Sequence, residues 1–308
     1  MKYQNLVSAL LCLQLFAAVP GRAESPQRVT VPMRPYKGTR AVVAVKVNGA
    51  GPYEFMVDTG ATITVLDTAL FHELGLQAMG SSRVVSSAGV TNQVLSQVKE
   101  ITLDCLSVQN IKVVSMQSPL QGSDYHAVRG ILGENFLRHF DILFNNQDRT
   151  MTLDAARGLA DSLIGERLPI IFPPLPPEDE NRYQPMISAE LQGLGRARFL
   201  LDSGATEFIL VQWGNPSSLG DTRVRTVNGS LACESTHKRV HLGKGTVSNL
   251  PMVSCQSATV KAQNSEGILP TSLFKQVFIS HGGSYAILNP QKRGNVPLEM
   301  AALTPLSQ

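Results

Sequence analysis

The 308-residue sequence predicts a mainly β chain built as two pseudo-symmetric lobes. Three observations predict it. The chain matches itself without a gap over residues 45–62 and 189–206. Short apolar runs alternate with Gly-, Asn- and Pro-containing turns in both halves, as strands and hairpins require. A Pro-rich and then acidic stretch from Phe172 to Glu180, which suits neither a helix interior nor a central strand, separates the copies.

Taken from the N-terminus, the first element is a secretory signal peptide over residues 1–23. Lys2 supplies the positive start, Leu6 to Val19 the apolar run, and Gly21 and Ala23 the small residues before a cleavage point at Glu24. Pro20 cuts that run short of a comfortable membrane span, and no later segment is apolar enough to cross a bilayer. The chain is therefore expected to be exported, to a periplasm or beyond. Residues 24–160 and 185–308 are the expected lobes, joined by a linker at 161–184.

Each lobe opens with a strand, a Gly-containing hairpin turn and a second strand ending in an apolar triplet. Gly49, Gly51 and Phe55 of the first copy fall on Gly193, Gly195 and Phe199 of the second. Both second strands run into a tight loop that begins at an acid, Asp58-Thr59-Gly60-Ala61 and Asp202-Ser203-Gly204-Ala205. A second hairpin is expected around Ser87, Ala88 and Gly89, and its counterpart around Asn228 and Gly229, a two-residue turn signal. Gly130-Ile131-Leu132-Gly133 then matches Gly267-Ile268-Leu269-Pro270, and Asn135 to Leu137 and Ser272 to Phe274 suggest short helices.

Composition narrows the chemistry. Losing Lys2 and Arg22 with the signal brings the formal charge of +3 closer to neutral, and no Lys/Arg run or aromatic-basic interleaving is present to neutralise phosphates, so nucleic acid is not an expected partner. The six histidines, at 72, 126, 139, 237, 241 and 281, are scattered. His237 and His241 are four apart in a strand-like pattern that does not put both on one helical face, so no metal site is expected. No nucleophile elbow or phosphate loop occurs. Export permits a Cys233–Cys255 bridge and leaves Cys105 as a buried thiol, although sequence alone leaves the pairing open.

The two acidic loops carry the argument. A carboxylate at the end of a buried apolar strand is costly to ionise without a partner, and duplication about a pseudo-twofold axis brings one such loop to face the other. Two carboxyls within hydrogen-bond reach hold one proton between them and titrate together. A lone Asp-Thr-Gly is ordinarily a surface turn; two copies in repeated surroundings point to a functional pair.

With each loop on an apolar strand and each followed downstream by Gly-Ile-Leu, the pattern resembles the retropepsin-like and pepsin-like aspartic peptidases. The resemblance implies two acid-protease lobes and peptide-bond hydrolysis by water at an Asp58/Asp202 dyad. It also implies hydroxyl support from Thr59 and Ser203 beside Gly60 and Gly204, no cofactor and no metal. Ser87, Ala88, Gly89, Asn228 and Gly229 become candidate flap or substrate contacts, a plain surface hairpin being the other reading. A peptide or protein substrate is the implied partner, with a monomer expected and a lobe-one homodimer as the rival arrangement. Pro270 and Glu207, standing where the first copy has Gly133 and Ile63, depart from the pattern. They keep open a non-catalytic, peptide-binding or scaffold protein with a degenerate second lobe. Ala61 and Ala205 offer no hydroxyl to the acids, which predicts a less acidic pair working at mildly acidic to neutral pH.

Overall fold

The computed structural model describes residues 27–36, 40–86, 88–117, 128–172, 183–213, 220–226, 229–257 and 266–293. The signal peptide expected at 1–23, residues 173–182 of the expected linker, and the hairpin residues Ser87 and Asn228 lie outside the described residues.

The first half begins with β1 (Arg28–Pro32) and β2 (Arg34–Tyr36), followed by the hairpin of β3 (Arg40–Val47) and β4 (Ala50–Val57). Asn48 and Gly49 connect β3 to β4 at φ 52° and 81°, the left-handed conformations that a tight two-residue hairpin turn requires. β5 (Thr64–Asp67) runs into α1 (Thr68–Glu73), capped by the Asp67 carboxylate accepting from the Leu70 N–H. Two long hairpins, β6 (Gly80–Ser86) with β7 (Gly89–Leu103) and β7 with β8 (Leu106–Met116), come next. β9 (Val128–Leu132), the one-turn α2 (Glu134–Leu137), β10 (Asp141–Asn145) and β11 (Thr150–Asp154) complete this half.

Two short strands, β12 (Leu163–Ile164) and β13 (Leu168–Pro169), occupy the first part of the segment expected as linker. The second half then runs β14 (Met186–Leu191), β15 (Gly195–Asp202), β16 (Ile209–Trp213) and β17 (Thr222–Thr226). β18 (Gly229–Leu242), β19 (Gly245–Ser257) and β20 (Gly267–Pro270) follow, with a 3-10 turn at Thr271–Leu273. β21 (Gln276–Ser280), β22 (Tyr285–Leu288) and β23 (Gln291–Lys292) end it.

The fold is mainly β. One sheet has the order β2-β3-β4-β9-β5-β8-β7-β6 and another β14-β15-β20-β16-β19-β18-β17. Leaving out β2, the two orders correspond strand for strand, down to the extra pairings of β3 with β7 and β14 with β18. A third sheet, β1-β11-β10-β21-β22-β13, draws strands from both halves; β10 and β21 pair antiparallel at its centre, with Ile142 opposite Ile279 and Phe144 opposite Val277. All four of these side chains are buried, so this sheet joins the cores of the two halves into one apolar cluster.

The repeated glycines have a packing reason. β4 pairs in parallel with β9, and β15 with β20, which sets Ile131-Leu132 and Ile268-Leu269 beside the strands leading to the two acids. A Cβ on Gly130 would lie 2.5 Å from the Phe55 ring and 2.4 Å from the Val65 carbonyl oxygen; one on Gly267 would lie 2.4 Å from the Phe199 ring and 2.3 Å from the Ile209 carbonyl oxygen. Phenylalanine and glycine therefore repeat together, because the ring of one fills the space that the other leaves.

Two sequence expectations need correction. Cys105 is exposed, not buried: it follows Asp104, at φ 54°, in the turn joining β7 to β8, where the chain reverses in solvent. The expected turn at Asn228-Gly229 does not hold for Gly229, which pairs with Thr226 as the first residue of β18. Cys233 and Cys255 face each other on β18 and β19 and form a disulfide.

Candidate active site

Both acids stand at the ends of their strands, where the chain leaves the sheet and turns back over itself. Asp58 Oδ1 accepts from the N–H groups of Gly60 (2.8 Å) and Ala61 (3.1 Å). Asp202 Oδ1 accepts from those of Gly204 (2.7 Å) and Ala205 (3.1 Å). Each loop thus folds around its own carboxylate, an Asx turn that the short Asp side chain is built to make.

The loops also lock to each other. The Thr59 N–H donates to Ser203 Oγ (3.1 Å) and the Ser203 N–H to Thr59 Oγ1 (3.0 Å). The two hydroxyls donate in turn to the carbonyl of the residue preceding the opposite acid, Thr59 to Leu201 (2.7 Å) and Ser203 to Val57 (2.9 Å). All four bonds are buried, so each holds its geometry at close to full strength.

The lock brings the acids together. A Cβ on Gly60 would stand 2.5 Å from Asp202 Oδ2, and one on Gly204 2.6 Å from Asp58 Cγ, so each glycine lies against the other loop's carboxyl group. Asp58 and Asp202 share a side-chain hydrogen bond. Burial pushes both carboxyls above the usual carboxylate range, and the neighbouring Asp58 charge lifts Asp202 well above it. Two buried carboxyls so placed titrate as a pair and hold one proton jointly.

Against this geometry, residues 43–136 match the family model described as Aspartyl protease. That match includes the first acidic loop, Asp58 to Ala61. Among solved structures, the chain is similar to the crystal structure of a retropepsin-like aspartic protease from Rickettsia conorii. The identity is 18%, over 41% of this chain and 90% of that one, with a TM-score of 0.31. No curated protein matches the chain.

The departures at Pro270 and Glu207 have different fates. In the first half the Gly133 N–H donates to Thr64 Oγ1, while the Thr64 N–H and hydroxyl both donate to Asn135 Oδ1. The matching positions in the second half are Pro270, Phe208 and Ser272. Proline has no N–H to satisfy, and Phe208 replaces the polar stitch with a buried ring 5.0 Å from that of Phe199. The changes compensate one another, and the Asp202 loop keeps the same hydrogen bonds as the Asp58 loop. Glu207 is exposed and bonds the Thr206 hydroxyl.

The tips of the two hairpins meet. Ser86 Oγ lies 3.0 Å from Thr226 Oγ1, and a Cβ on Gly229 would lie 3.6 Å from that of Ala88, which packs against the apolar cluster of Ile209, Val224 and Leu231 in the opposite half. Gly89 closes the first tip by pairing with Ser86.

Two residues near the loops escape a motif search. Arg40 Nε donates to the Gly204 carbonyl (2.7 Å) and Gln184 Nε2 to the Gly60 carbonyl (3.1 Å). They precede Asp58 and Asp202 by equal lengths of chain, and carrying the self-comparison five residues further back would have paired them. Arg40 also places a positive charge where it favours ionisation of both acids.

Proposed function

We propose that the chain is an aspartic endopeptidase of two pseudo-symmetric lobes, hydrolysing peptide bonds with a water activated between Asp58 and Asp202. The observation that carries this reading is the reciprocal seating of each loop glycine against the other loop's carboxyl. It holds two acids of distant sequence position within proton-sharing reach, and the two-carboxylate device follows a recognised pattern of paired-acid catalysis.

The ionised member of the Asp58/Asp202 pair takes a proton from the water as its oxygen attacks the substrate carbonyl carbon, while the protonated member gives its proton to the carbonyl oxygen. The product of that step is a tetrahedral diol with no covalent link to the protein. A proton then passes to the amide nitrogen, the C–N bond breaks, and an acid and an amine leave with the pair again holding one proton. Thr59 and Ser203 hold the carboxyls in place throughout, and pre-set positions of this kind avoid reorganisation in the transition state. An extended peptide lies beneath the meeting hairpin tips, which open to admit it. The disulfide supports action in an oxidising compartment outside the cytoplasm.

The test is cleavage of a diverse peptide library by the chain from residue 24 onward, with Asp58→Asn and Asp202→Asn as controls. Cuts made by the wild type and by neither variant support the reading. Activity surviving in Asp202→Asn would instead favour a pair formed between two first halves in a homodimer. Peptide binding without turnover would favour a scaffold protein.

A further inference from the structure

We propose that Glu134 and His281 form a clasp that positions Asp58, thrown from the β21–β22 turn of the second half onto the helix that backs the Asp58 loop. The proposal rests on Asp58 being half of the catalytic pair.

His281 Nε2 lies 3.0 Å from Glu134 Oε2, and His281 Nδ1 lies 2.7 Å from the Phe140 carbonyl oxygen. Both side chains are buried, at 5% and 0% exposure, and they come from opposite halves of the chain. A carbonyl only accepts, so Nδ1 carries a proton. A second proton must then sit between Nε2 and Oε2, because without it a carboxylate faces a bare ring lone pair. The clasp is closed while that second proton is bound.

Its reach to the acid is short. The Glu134 N–H donates to the Ala61 carbonyl (2.7 Å), and the Ala61 N–H holds Asp58 Oδ1. The Asp58 charge also acts on Glu134 directly. Glu134 Oε1, by contrast, has no hydrogen-bond partner among the described residues. A buried acid with an unpartnered oxygen costs stability, which argues against simple core packing.

The other side of the molecule supplies the comparison. Asn146 begins the β10–β11 turn as His281 begins the β21–β22 turn, and it reaches across to the second half's 3-10 turn. Its Nδ2 donates to the Thr271 and Phe274 carbonyls, each at 2.9 Å, and its N–H to that of Lys275. Thr271 holds the position that Glu134 holds in the first half. The same crosswise brace therefore occurs twice, built from a fixed amide behind Asp202 and from a titrating pair behind Asp58.

The charged groups around the pair are Arg138 at the end of α2, His139, Asp141 on β10, Arg157 against Gly282, and Asp58. Asp141 secures the same turn by accepting from Ser280 Oγ and the Gly282 N–H. Burial alone would pull His281 down, but the Glu134 charge and hydrogen bond outweigh it and hold the histidine above its ordinary value of about 6.5. Burial likewise raises Glu134. A folded-state value raised in this way gives stability that is complete below about 6.5 and is lost as pH climbs through the raised value.

The experiment uses the chain from residue 24 with histidine and aspartate ring or carboxyl carbons labelled for NMR. In the wild type, His281 should titrate above about 6.5, and kcat should fall over the same window with KM steady. Glu134→Gln should bring the His281 titration down by at least one pH unit, with the alkaline limb of kcat following it. The double change Glu134→Thr with His281→Asn, which copies Thr271 and Asn146, should fold and lose that limb; it serves if the single variant does not fold. A kcat profile unchanged after the His281 titration has moved would overturn the proposal. If no form of the chain cuts peptides, the Asp58 carboxyl signal still decides: a titration displaced by Glu134→Gln supports the clasp, and an unmoved one refutes it.

Discussion

Replacing Gly60 by alanine tests the close approach of the two acidic loops with one methyl group. The added Cβ would fall 2.7 Å from Asp202 Cγ and 2.5 Å from Oδ2. Carbon atoms in contact settle at about 3.5 Å, so something must retreat by about 0.8 Å. The backbone cannot easily be what moves, since the bonds between Thr59 and Ser203 and the Gly60 N–H bond to Asp58 hold it from both sides. The Asp202 carboxyl yields instead, away from Asp58. A misplacement of about 1 Å at a reacting group costs about 100-fold in rate, which is about 2.7 kcal/mol of barrier. Overpacking adds a stability loss of about 1–3 kcal/mol. The assay is kcat on a fluorogenic peptide cut by the wild type, with thermal unfolding alongside. Gly158→Ala is the control, because the nearest atom to its Cβ is Arg28 Nη2 at an ordinary 3.4 Å, and it should leave kcat unchanged. A folded Gly60→Ala protein turning over within about threefold of the wild type would refute the reasoning, since the predicted loss is about 100-fold.

Thr59→Val removes a buried hydroxyl that both accepts from Ser203 and donates to Leu201, and stranding those groups should cost about 3 kcal/mol in urea unfolding. Asp202→Asn should raise the melting point at pH 7 and leave it unchanged at pH 3. The wild-type carboxyl is raised well above its usual value, so its contribution is complete below about 3.9 and is lost as pH climbs toward the raised value, at about 1.4 kcal/mol for each pH unit crossed. Reducing the Cys233–Cys255 bridge, which spans 22 residues, should lower stability by about 3 kcal/mol, read from the denaturation midpoint. The pH dependence of kcat/KM should peak between mildly acidic and neutral conditions, because both carboxyls are raised and Ala61 and Ala205 supply only N–H groups; a maximum confined to strong acid would count against it.

The β-rich character and the short helix near Asn135 were legible because they rest on local signals: alternating apolar residues, glycines at left-handed turns, and an Asp or Gly at the start of a helical turn. The self-comparison also pointed to Phe55 with Gly130, and Phe199 with Gly267, as repeated positions, though only the packing explains why they recur in pairs. Harder to see was whatever depends on contact across the halves. Nothing local marks β10 and β21 as neighbours, and His281 looked like one more scattered histidine until the β21–β22 turn delivered it to Glu134. Pro270 taken alone suggests damage; beside Phe208 it is half of a compensated exchange. Cys105 was misjudged because thiols are commonly buried, whereas the turn after Asp104 leaves this one in water.

The central pairing of β10 with β21 also determines what becomes of a severed first half. Cut free, β10 would present a row of open N–H and C=O groups flanked by Ile142 and Phe144, a template for sticking to any similar strand. In the intact chain a tethered neighbour masks that edge at a local concentration that no free molecule matches. Covalent attachment thus keeps β21 always at hand to cover that edge, so the first half never meets solvent or a neighbour with its strand bare.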